Sequence, residues 1–360
     1  MIYIHVPFCR SFCVYCDFYS EIACRGGDGK LFGAYADSLC REIDTRADEI
    51  RETLGYNSLY IGGGTPSVLP LDVLERILLK LREYAPDWDE FTIEVNPDDI
   101  VSRGPGYLQG LRRLGVNRVS MGVQSLDDGI LRKMNRRHDA ATAIAAFRLL
   151  REAGFDNISL DLIFGGFGLE LSTLDVTLST ILELRPEHLS SYQLSIEEGS
   201  ALAAMLSCGE YSEMPEQQCL AQYELICRRL SDAGYEHYEI SNWALPGRRA
   251  GHNSAYWRRL PYVGLGPGAH SLLGNRRSWN SQQLYGWTRE WESLIPEQER
   301  EESIMLGLRT SDGVDPDLCR LEAVERLLAC GDLEMKNAPR RIRIPESRFF
   351  VSDQIILELV

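Results

Sequence analysis

Six segments in the first 200 residues alternate apolar and polar side chains with the two-residue period of β-strands. They are residues 2–6, 58–61, 91–95, 118–123, 157–164 and 189–196. The stretches between them show the three-to-four-residue apolar period of amphipathic helices, most clearly at 71–84, 140–153 and 171–184. Gly154 is expected to end the second of these helices. Strands that alternate with helices form βαβ units, so the pattern predicts an α/β fold with a parallel sheet.

Each predicted strand has one apolar face and one polar face. In the third strand, Ile93 and Val95 alternate with Thr92 and Glu94. Parallel strands that are buried on both faces normally have continuous apolar sequences, and a filled barrel carries branched apolar side chains in its interior. We therefore predict a partial parallel (β/α)6 barrel with a polar lumen, open on one side and with room for a substantial ligand.

Three cysteines follow the first predicted strand with the spacing Cys-x3-Cys-x2-Cys, at Cys9, Cys13 and Cys16. Three thiolates from one loop can hold three irons of a cubic 4Fe-4S cluster and leave the fourth iron without a protein ligand. An open coordination position distinguishes a catalytic metal site from a closed structural one. S-adenosylmethionine is the obvious small molecule to chelate that iron for radical chemistry. With Tyr15 just before the last cysteine, the spacing resembles the signature of the radical S-adenosylmethionine superfamily.

A zinc loop is the alternative interpretation of the three cysteines, with His5 or Cys24 as the fourth ligand. Zinc sites usually pair two Cys or His knuckles, and the sequence shows no second knuckle. The other cysteines are scattered without the spacing of a disulfide framework. We therefore expect free thiols in a reducing cytoplasm, which also suits an oxygen-sensitive cluster.

The composition argues against several classes of partner. The 360 residues include 53 acidic and 38 basic side chains, and the formal net charge is −15. This balance disfavours sequence-independent binding to nucleic acid or to anionic membranes. No apolar run is long enough to span a bilayer, and no secretory signal is visible. We expect a cytoplasmic protein, while its oligomeric state stays open.

Further polar residues lie at the carboxyl ends of the predicted strands, where the working residues of such barrels collect. The run Gly62–Pro66 has neither the spacing of a phosphate-binding loop nor that of a dinucleotide fingerprint, but its glycines let the backbone approach a ligand. The remaining polar groups of S-adenosylmethionine would be bound by carboxylates, an amide and a guanidinium, namely Glu94, Gln124, Arg136 and Asp161. The alternative is that these lumen residues satisfy one another.

Five longer motifs extend the resemblance to a particular family. They are Tyr3-Ile-His-Val-Pro-Phe-Cys, Gly62-Gly-Gly-Thr-Pro-Ser, Ile93-Glu-Val-Asn-Pro, Gly122-Val-Gln-Ser and Leu160-Asp-Leu-Ile-Phe-Gly. As a set they resemble the oxygen-independent coproporphyrinogen III oxidase family of radical S-adenosylmethionine proteins. The resemblance implies a radical S-adenosylmethionine barrel, and Tyr15 is a further candidate for cofactor contact. It also implies S-adenosylmethionine contacts at Tyr3, Gly63, Gly64, Thr65, Glu94, Gln124, Arg136 and Asp161.

Later stretches resemble a haem-chaperone branch of that family. They begin at His237, His252 and Gly264, and the second reads His-Asn-Ser-Ala-Tyr-Trp. Phe18 stands where the similar oxidase carries a further cysteine, and the oxidase also has a segment ahead of its first strand. Both departures favour the chaperone branch.

The resemblance to this branch implies that His252 binds haem. Imidazole is a normal axial ligand of haem iron, and Tyr256 with Trp257 would lie against the porphyrin. The alternative is a histidine that caps or fills core, with His270 as a weaker rival for the haem.

The rest of the chain is expected to form two smaller units. Residues 201–292 are predicted as a barrel extension, in which a helix at 217–233 and a strand at 235–240 extend the sheet and cover the barrel mouth. A polar stretch at 293–302 is predicted to separate a small winged-helix-like domain at 293–360. It has a helix at 321–329, a strand at 341–344 and an apolar end at 354–360.

The expected function is that of a cluster-bearing, S-adenosylmethionine-binding chaperone that delivers haem to acceptor proteins. The alternative is oxygen-independent oxidative decarboxylation of coproporphyrinogen III in porphyrin biosynthesis.

Overall fold

A nine-stranded sheet forms the centre of the structure, a computed structural model that describes residues 1–23 and 28–360. In chain order, the strands of the described residues are β1 (Ile2–Val6), β2 (Phe8–Cys9), β3 (Glu21–Ile22), β4 (Ser58–Gly63), β5 (Glu90–Val95), β6 (Arg118–Gln124), β7 (Ile158–Phe164), β8 (His188–Gln193), β9 (Glu236–Glu239), β10 (Asn242–Ala244), β11 (Val263–Leu265), β12 (His270–Leu273), β13 (Arg276–Asn280), β14 (Arg289–Ser293), β15 (Glu334–Asn337) and β16 (Arg340–Arg343). The α-helices of the same residues are α1 (Asp28–Thr45), α2 (Ala47–Glu52), α3 (Leu71–Arg82), α4 (Pro97–Arg113), α5 (Asp128–Lys133), α6 (Ala140–Glu152), α7 (Leu171–Leu184), α8 (Ala201–Ser207), α9 (Glu216–Asp232), α10 (Gly251–Trp257), α11 (Pro296–Leu308), α12 (Leu321–Cys330) and α13 (Ser352–Leu359).

The central sheet has the strand order β11-β1-β4-β5-β6-β7-β8-β10-β9. The six predicted strands are its parallel core, with bounds that differ from the prediction only at their ends. Strands β10 and β9 continue the sheet antiparallel beyond β8, as the extension was predicted to do. Strand β11 pairs parallel with β1 at the other edge. It was not predicted, because three residues among glycines are too short to show a period.

Because apolar and polar residues alternate along the strands, the sheet has one buried apolar face and one polar face. Ile4, Ile61 and Ile93 are aligned across β1, β4 and β5 and are almost fully buried. The opposite face carries polar side chains such as Tyr60 and Glu94. Side chains from this face of β1, β4, β5, β6, β7 and β8 line one cavity of about 590 Å³. The sheet therefore curves around a polar lumen, while its edge strands β11 and β9 stay unpaired with each other, as an open barrel requires.

Two predictions about the later part of the chain are wrong. Helix α9 packs against α7, β7 and β9, and no residue of α9 lines the cavity, so this segment does not cover the barrel mouth. The polar stretch at 293–302 is not a separator, because it forms the end of β14 and most of α11. Pro296 begins α11, and Glu299 and Glu302 form ion pairs with Arg259. Polarity there reflects paired charges on a packed helix.

Helices α11 and α12 precede the hairpin β15–β16, and α13 follows it and packs against both helices. The winged-helix-like domain stays a prediction. The boundaries at residues 200 and 292 stay predictions. In the described ranges 1–23 and 28–360, no helix combines the length and apolarity needed to cross a bilayer.

Helix α10 closes the end of the barrel that is opposite to the cysteine loop. The Glu90 carboxylate at the start of β5 accepts hydrogen bonds from the backbone amides of Gly251 (2.7 Å) and His252 (2.8 Å). The Ser58 hydroxyl at the start of β4 is hydrogen-bonded to Nδ1 of His252 at 2.9 Å. The amino ends of β4 and β5 thus fix α10, whereas the cysteines follow the carboxyl end of β1.

We predict that Glu90→Gln destabilises the protein by roughly 1–2 kcal/mol, because a neutral amide replaces a charge-assisted cap of two helix amides. Urea unfolding at pH 7 measures the loss. Glu290→Gln, at an exposed glutamate, is the matched control and should leave stability unchanged. Equal stability of the two variants would show that Glu90 does not hold α10 in place.

Candidate functional site

Backbone hydrogen bonds join the two ends of the cysteine loop to each other. Strands β2 and β3 pair, and the amide of Ala23 donates to the carbonyl of Cys9 at 2.8 Å. In the middle of the loop, the amide of Val14 donates to the carbonyl of Met134 at 3.3 Å. Cys9 is buried, while Cys13 and Cys16 are partly exposed, and all three are free thiols. The loop therefore holds three thiols at the carboxyl end of the barrel.

The surroundings of the thiols suit a cluster. Burial raises the pKa of Cys9, and burial together with smaller effects of negative charge on Cys13 and Cys9 raises the pKa of Cys16 to about 11. The three thiols are thus close enough to interact. Cys9 Sγ lies 3.4 Å from the Thr65 hydroxyl, and Arg136 donates from Nη1 to Cys13 Sγ at 3.3 Å. Bound iron would deprotonate such thiols and remove the cost of burying them as thiolates.

The zinc alternative lacks the predicted fourth ligand in the described part of the chain. The two ring nitrogens of His5 are hydrogen-bonded to the Tyr3 hydroxyl (3.1 Å) and the Tyr19 carbonyl (2.9 Å). Cys24 lies outside the described residues. Within residues 1–23 and 28–360, no three His, Cys, Asp or Glu side chains are arranged to share one metal ion. A cubic cluster makes a different demand, because each thiolate binds its own iron.

The glycine run brings the end of β4 against the cysteine loop. The amides of Gly64 and Thr65 donate to the carbonyls of Val6 (2.8 Å) and Phe8 (2.7 Å). A Cβ at Gly64 would lie only 2.8 Å from the Phe8 carbonyl oxygen, and one at Gly63, where φ is +108°, would lie 2.6 Å from the His5 ring. The glycines are therefore required by contact with the protein's own loop, a role that the sequence did not indicate.

Two buried carboxylates face the cavity below the loop. Glu94 accepts hydrogen bonds from the Tyr60 hydroxyl (2.7 Å) and the Gly63 amide (3.1 Å), and burial raises its pKa to about 7. Asp161 accepts from the Ser120 hydroxyl at 3.1 Å, and burial raises its pKa as well. Negative charge on Asp161 is a smaller cause of the raised pKa of Glu94. Hydroxyl or amine donors of a ligand would stabilise both as carboxylates.

Gln124 and Arg136 complete the rim in a strained arrangement. Gln124 has φ of +66° beside a bulge in β6, and its amide occupies the space that a Cβ on Gly122 would fill. Arg136 donates from Nη2 to the carbonyl of Gly122 at 2.5 Å, while its buried Nε has no hydrogen-bond partner among the described residues. Strain and unpaired donors of this kind gather at ligand sites. The rim therefore fits a ligand that carries hydroxyl, amine and carboxylate groups.

The predicted ligands of the cluster, of S-adenosylmethionine and of haem iron line the same cavity, whereas Trp257, which was expected to lie against the porphyrin, does not. Those that line it are Tyr3, Cys9, Cys13, Tyr15, Cys16, Gly63, Gly64, Thr65, Glu94, Gln124, Arg136, Asp161 and His252. His270 is exposed on β12 and does not line it.

His252 lies at the floor of the cavity, where α10 closes the barrel. It is only 2% exposed, and burial lowers its pKa to about 3. Besides the bond from Nδ1 to Ser58, its Nε2 is hydrogen-bonded to the Tyr256 hydroxyl at 3.2 Å. In this structure His252 is thus a buried histidine with both ring nitrogens hydrogen-bonded, as the alternative interpretation expected. Its role as a haem ligand stays a prediction.

Sequence reasoning missed Arg118 and His188, which also line the cavity. Arg118 begins β6 and shares a strand face with Ser120 and Gln124, so the alternation itself could have identified it. His188 is buried between the hydroxyls of Ser159 and Tyr238, and nothing in its sequence context marks it.

Asp99 connects the three loops of the rim. It is fully buried near the start of α4 and accepts hydrogen bonds from the Ser67 hydroxyl (2.8 Å) and Arg137 Nη2 (3.1 Å). Arg10, next to Cys9, lies 3.6 Å from the same carboxylate. One buried charge therefore joins the glycine loop, the cysteine loop and the loop that carries Arg136.

Comparisons with known proteins agree with this geometry. The profile of the family described as Radical SAM superfamily matches residues 3–181. A curated protein of Synechocystis sp. named Heme chaperone HemW is 36% identical over 332 residues, which cover 87% of this chain and 78% of that protein. The protein of the same name from Bacillus subtilis is 34% identical, with coverage of 87% and 84%.

A solved structure shows the same fold over nearly the whole chain. Coproporphyrinogen III oxidase (HemN) from Escherichia coli superposes with a TM-score of 0.80 over 99% of this chain and 88% of that chain. The two sequences are 22% identical, so the likeness concerns the fold alone.

We predict that Asp99→Asn makes a reconstituted cluster several-fold more labile, because the neutral amide no longer holds Arg10 of the cysteine loop. Loss of visible absorbance to an iron chelator, followed without oxygen, measures the rate. Asp98→Asn is the matched control, since Asp98 pairs with Arg137 but is 37% exposed and bonds neither Ser67 nor Arg10. Equal rates in both variants would contradict the role of Asp99.

We predict that Glu94→Gln gains stability relative to the wild type as pH rises from 5 to 8, in protein without cofactors. The pKa of Glu94 is raised from 4.5 to about 7 in the folded state, so the folded carboxyl binds its proton more tightly than the unfolded one. The protonated Glu94 therefore adds up to about 3 kcal/mol to the free energy of unfolding below pH 4.5. This contribution is lost as pH rises through about 7. Urea unfolding at both pH values checks this, and a pH-independent difference between the proteins would contradict it.

Proposed function

Because this chain belongs to the HemW family of radical SAM proteins, we propose that it binds haem and transfers it to acceptor proteins. The observation that carries the proposal is the identity of 33–36% with curated haem chaperones over 87% of the chain. The oxidase of similar fold has much lower identity. Phe18, which is 66% exposed and lines the cavity, stands where the oxidase family has a further cysteine.

In this proposal, Cys9, Cys13 and Cys16 hold a 4Fe-4S cluster, and S-adenosylmethionine is bound below it. A cluster of this kind supplies an open iron for that ligand and one electron for its reduction. Arg136 offsets the negative charge that thiolate ligation brings to Cys13. Other rim groups, from Tyr3, Tyr15, Gly63, Gly64, Thr65, Glu94, Gln124 and Asp161, bind and orient the S-adenosylmethionine.

The haem ligand in this proposal is His252. Among the described residues, its Nε2 is hydrogen-bonded only to the Tyr256 hydroxyl. Tyr256 also lines the cavity, so a rotation of that phenol frees the nitrogen toward the lumen. The Ser58 hydroxyl would keep hold of Nδ1 and orient the ring. A cytoplasmic location and the absence of a nucleic-acid partner are part of the proposal and rest on composition.

We predict that His252→Ala weakens haem binding at least tenfold, because the axial ligand is lost. Absorbance titration of the anaerobically purified, cluster-bearing protein with haem measures the affinity. Tyr256→Phe is the matched control: it removes the hydroxyl that competes for Nε2, so its haem affinity should equal or exceed that of the wild type. Unchanged affinity in His252→Ala would remove His252 from the haem site.

Two results would contradict the proposed function itself. Formation of protoporphyrinogen from coproporphyrinogen III under anaerobic turnover would show an oxidase instead of a chaperone. A colourless anaerobic preparation with zinc but no iron or sulfide would show a zinc-stabilised barrel.

A further inference from the structure

Arg118 is a buried cation that forms no ion pair with the described part of the chain. Its side chain is 2% exposed and lines the cavity from the amino end of β6. Among residues 1–23 and 28–360, its Nε has no hydrogen-bond partner and no carboxylate lies within ion-pairing distance of the guanidinium. Thr92, its register neighbour on β5, has a buried hydroxyl that is also unpartnered. Unpaired buried charge is costly, so this arrangement indicates a ligand that supplies the missing partner.

The surroundings of Arg118 define the class of that ligand. A guanidinium offers parallel N–H donors in a fork that matches a carboxylate. The positive charge of Arg118 reaches Glu94, Asp161 and His252, whose pKa values it lowers. Glu94 and Asp161 are therefore near enough for this charge to stabilise their carboxylate forms, but neither is hydrogen-bonded to Arg118. We propose that Arg118 binds a carboxylate of the molecule that enters the cavity.

Two ligands of the proposed function carry a carboxylate: haem, through its propionates, and S-adenosylmethionine, through its methionine part. Arg118 is in register with Thr92 of β5 and Tyr60 of β4, and Gly63 at the carboxyl end of β4 lies three residues, or about 10 Å, further along. A carboxylate held at the open iron of the cysteine loop would be far from Arg118. His252 lies at the same end as Arg118, so the arrangement favours a haem propionate. This choice of ligand rests on the proposed haem-binding function.

The experiment compares ligands that differ only in the carboxylate. Wild type, Arg118→Gln and the exposed control Arg113→Gln are titrated anaerobically with haem and with haem dimethyl ester, whose propionates are neutral. The wild type and Arg113→Gln are expected to prefer haem over its ester at least tenfold. Arg118→Gln is expected to bind haem as weakly as the ester and to show no preference. A parallel arm compares S-adenosylmethionine with its decarboxylated form by equilibrium dialysis.

The outcomes separate this inference from the proposed function. A preference for the carboxylate form that Arg118→Gln abolishes supports the site, and the arm in which it occurs identifies the ligand. No such preference in either arm of the wild type overturns the site, and this result does not depend on whether any variant folds. The proposal is also overturned if Arg118→Gln weakens the binding of haem and of its ester equally, because the role of Arg118 is then structural. Wild type that binds no haem contradicts the proposed function, while the S-adenosylmethionine arm still tests the carboxylate site.

Discussion

A buried charged or polar group needs a partner, and the lumen of this sheet contains many such groups. The six parallel strands turn one polar face toward a common cavity, which brings their carboxylates, hydroxyls and guanidinium groups together there. Some of them satisfy one another, as Tyr60 does for Glu94 and Ser120 for Asp161. Others are left unpaired, as are Nε of Arg118 and Nε of Arg136 among the described residues. The unpaired groups give the cavity its capacity to hold polar ligands.

The cavity has two ends with different chemistry. At the carboxyl ends of the strands, backbone bonds from Gly64 and Thr65 press the glycine run against the cysteine loop, and Asp99 joins that loop to its neighbours. At the amino ends, Glu90 and Ser58 hold α10 and place His252 in the floor. A cluster and a haem ligand would thus occupy opposite ends of one chamber. This separation gives each ligand a distinct set of side chains and makes their roles separable by mutation.

The fold alone does not decide between an oxidase and a chaperone. The solved structure that superposes with a TM-score of 0.80 is an oxidase, whereas the curated relatives of higher sequence identity are named haem chaperones. Function in such folds is decided by the groups that line the cavity, and identity over most of the chain to curated haem chaperones is what favours one function here.

The sequence by itself determined the parallel α/β core and the spacing of the three cysteines. Both depend on local rules, namely the two-residue period of a strand and the reach of one loop, and the six strands appear where the alternation predicts them. The predicted rim residues also share a cavity, because consecutive parallel strands bring their carboxyl ends to one edge.

Tertiary structure alone decided the partners of those residues. The glycines contact the cysteine loop and Arg136 bonds Cys13, while the polar stretch at 293–302 becomes a packed helix. His252 and Arg118 meet at the floor although 134 positions separate them along the chain (252 minus 118). The cysteine loop thus keeps the role that its spacing predicts. Which residues lie at each end of the cavity is decided by long-range packing, which the local sequence period does not encode.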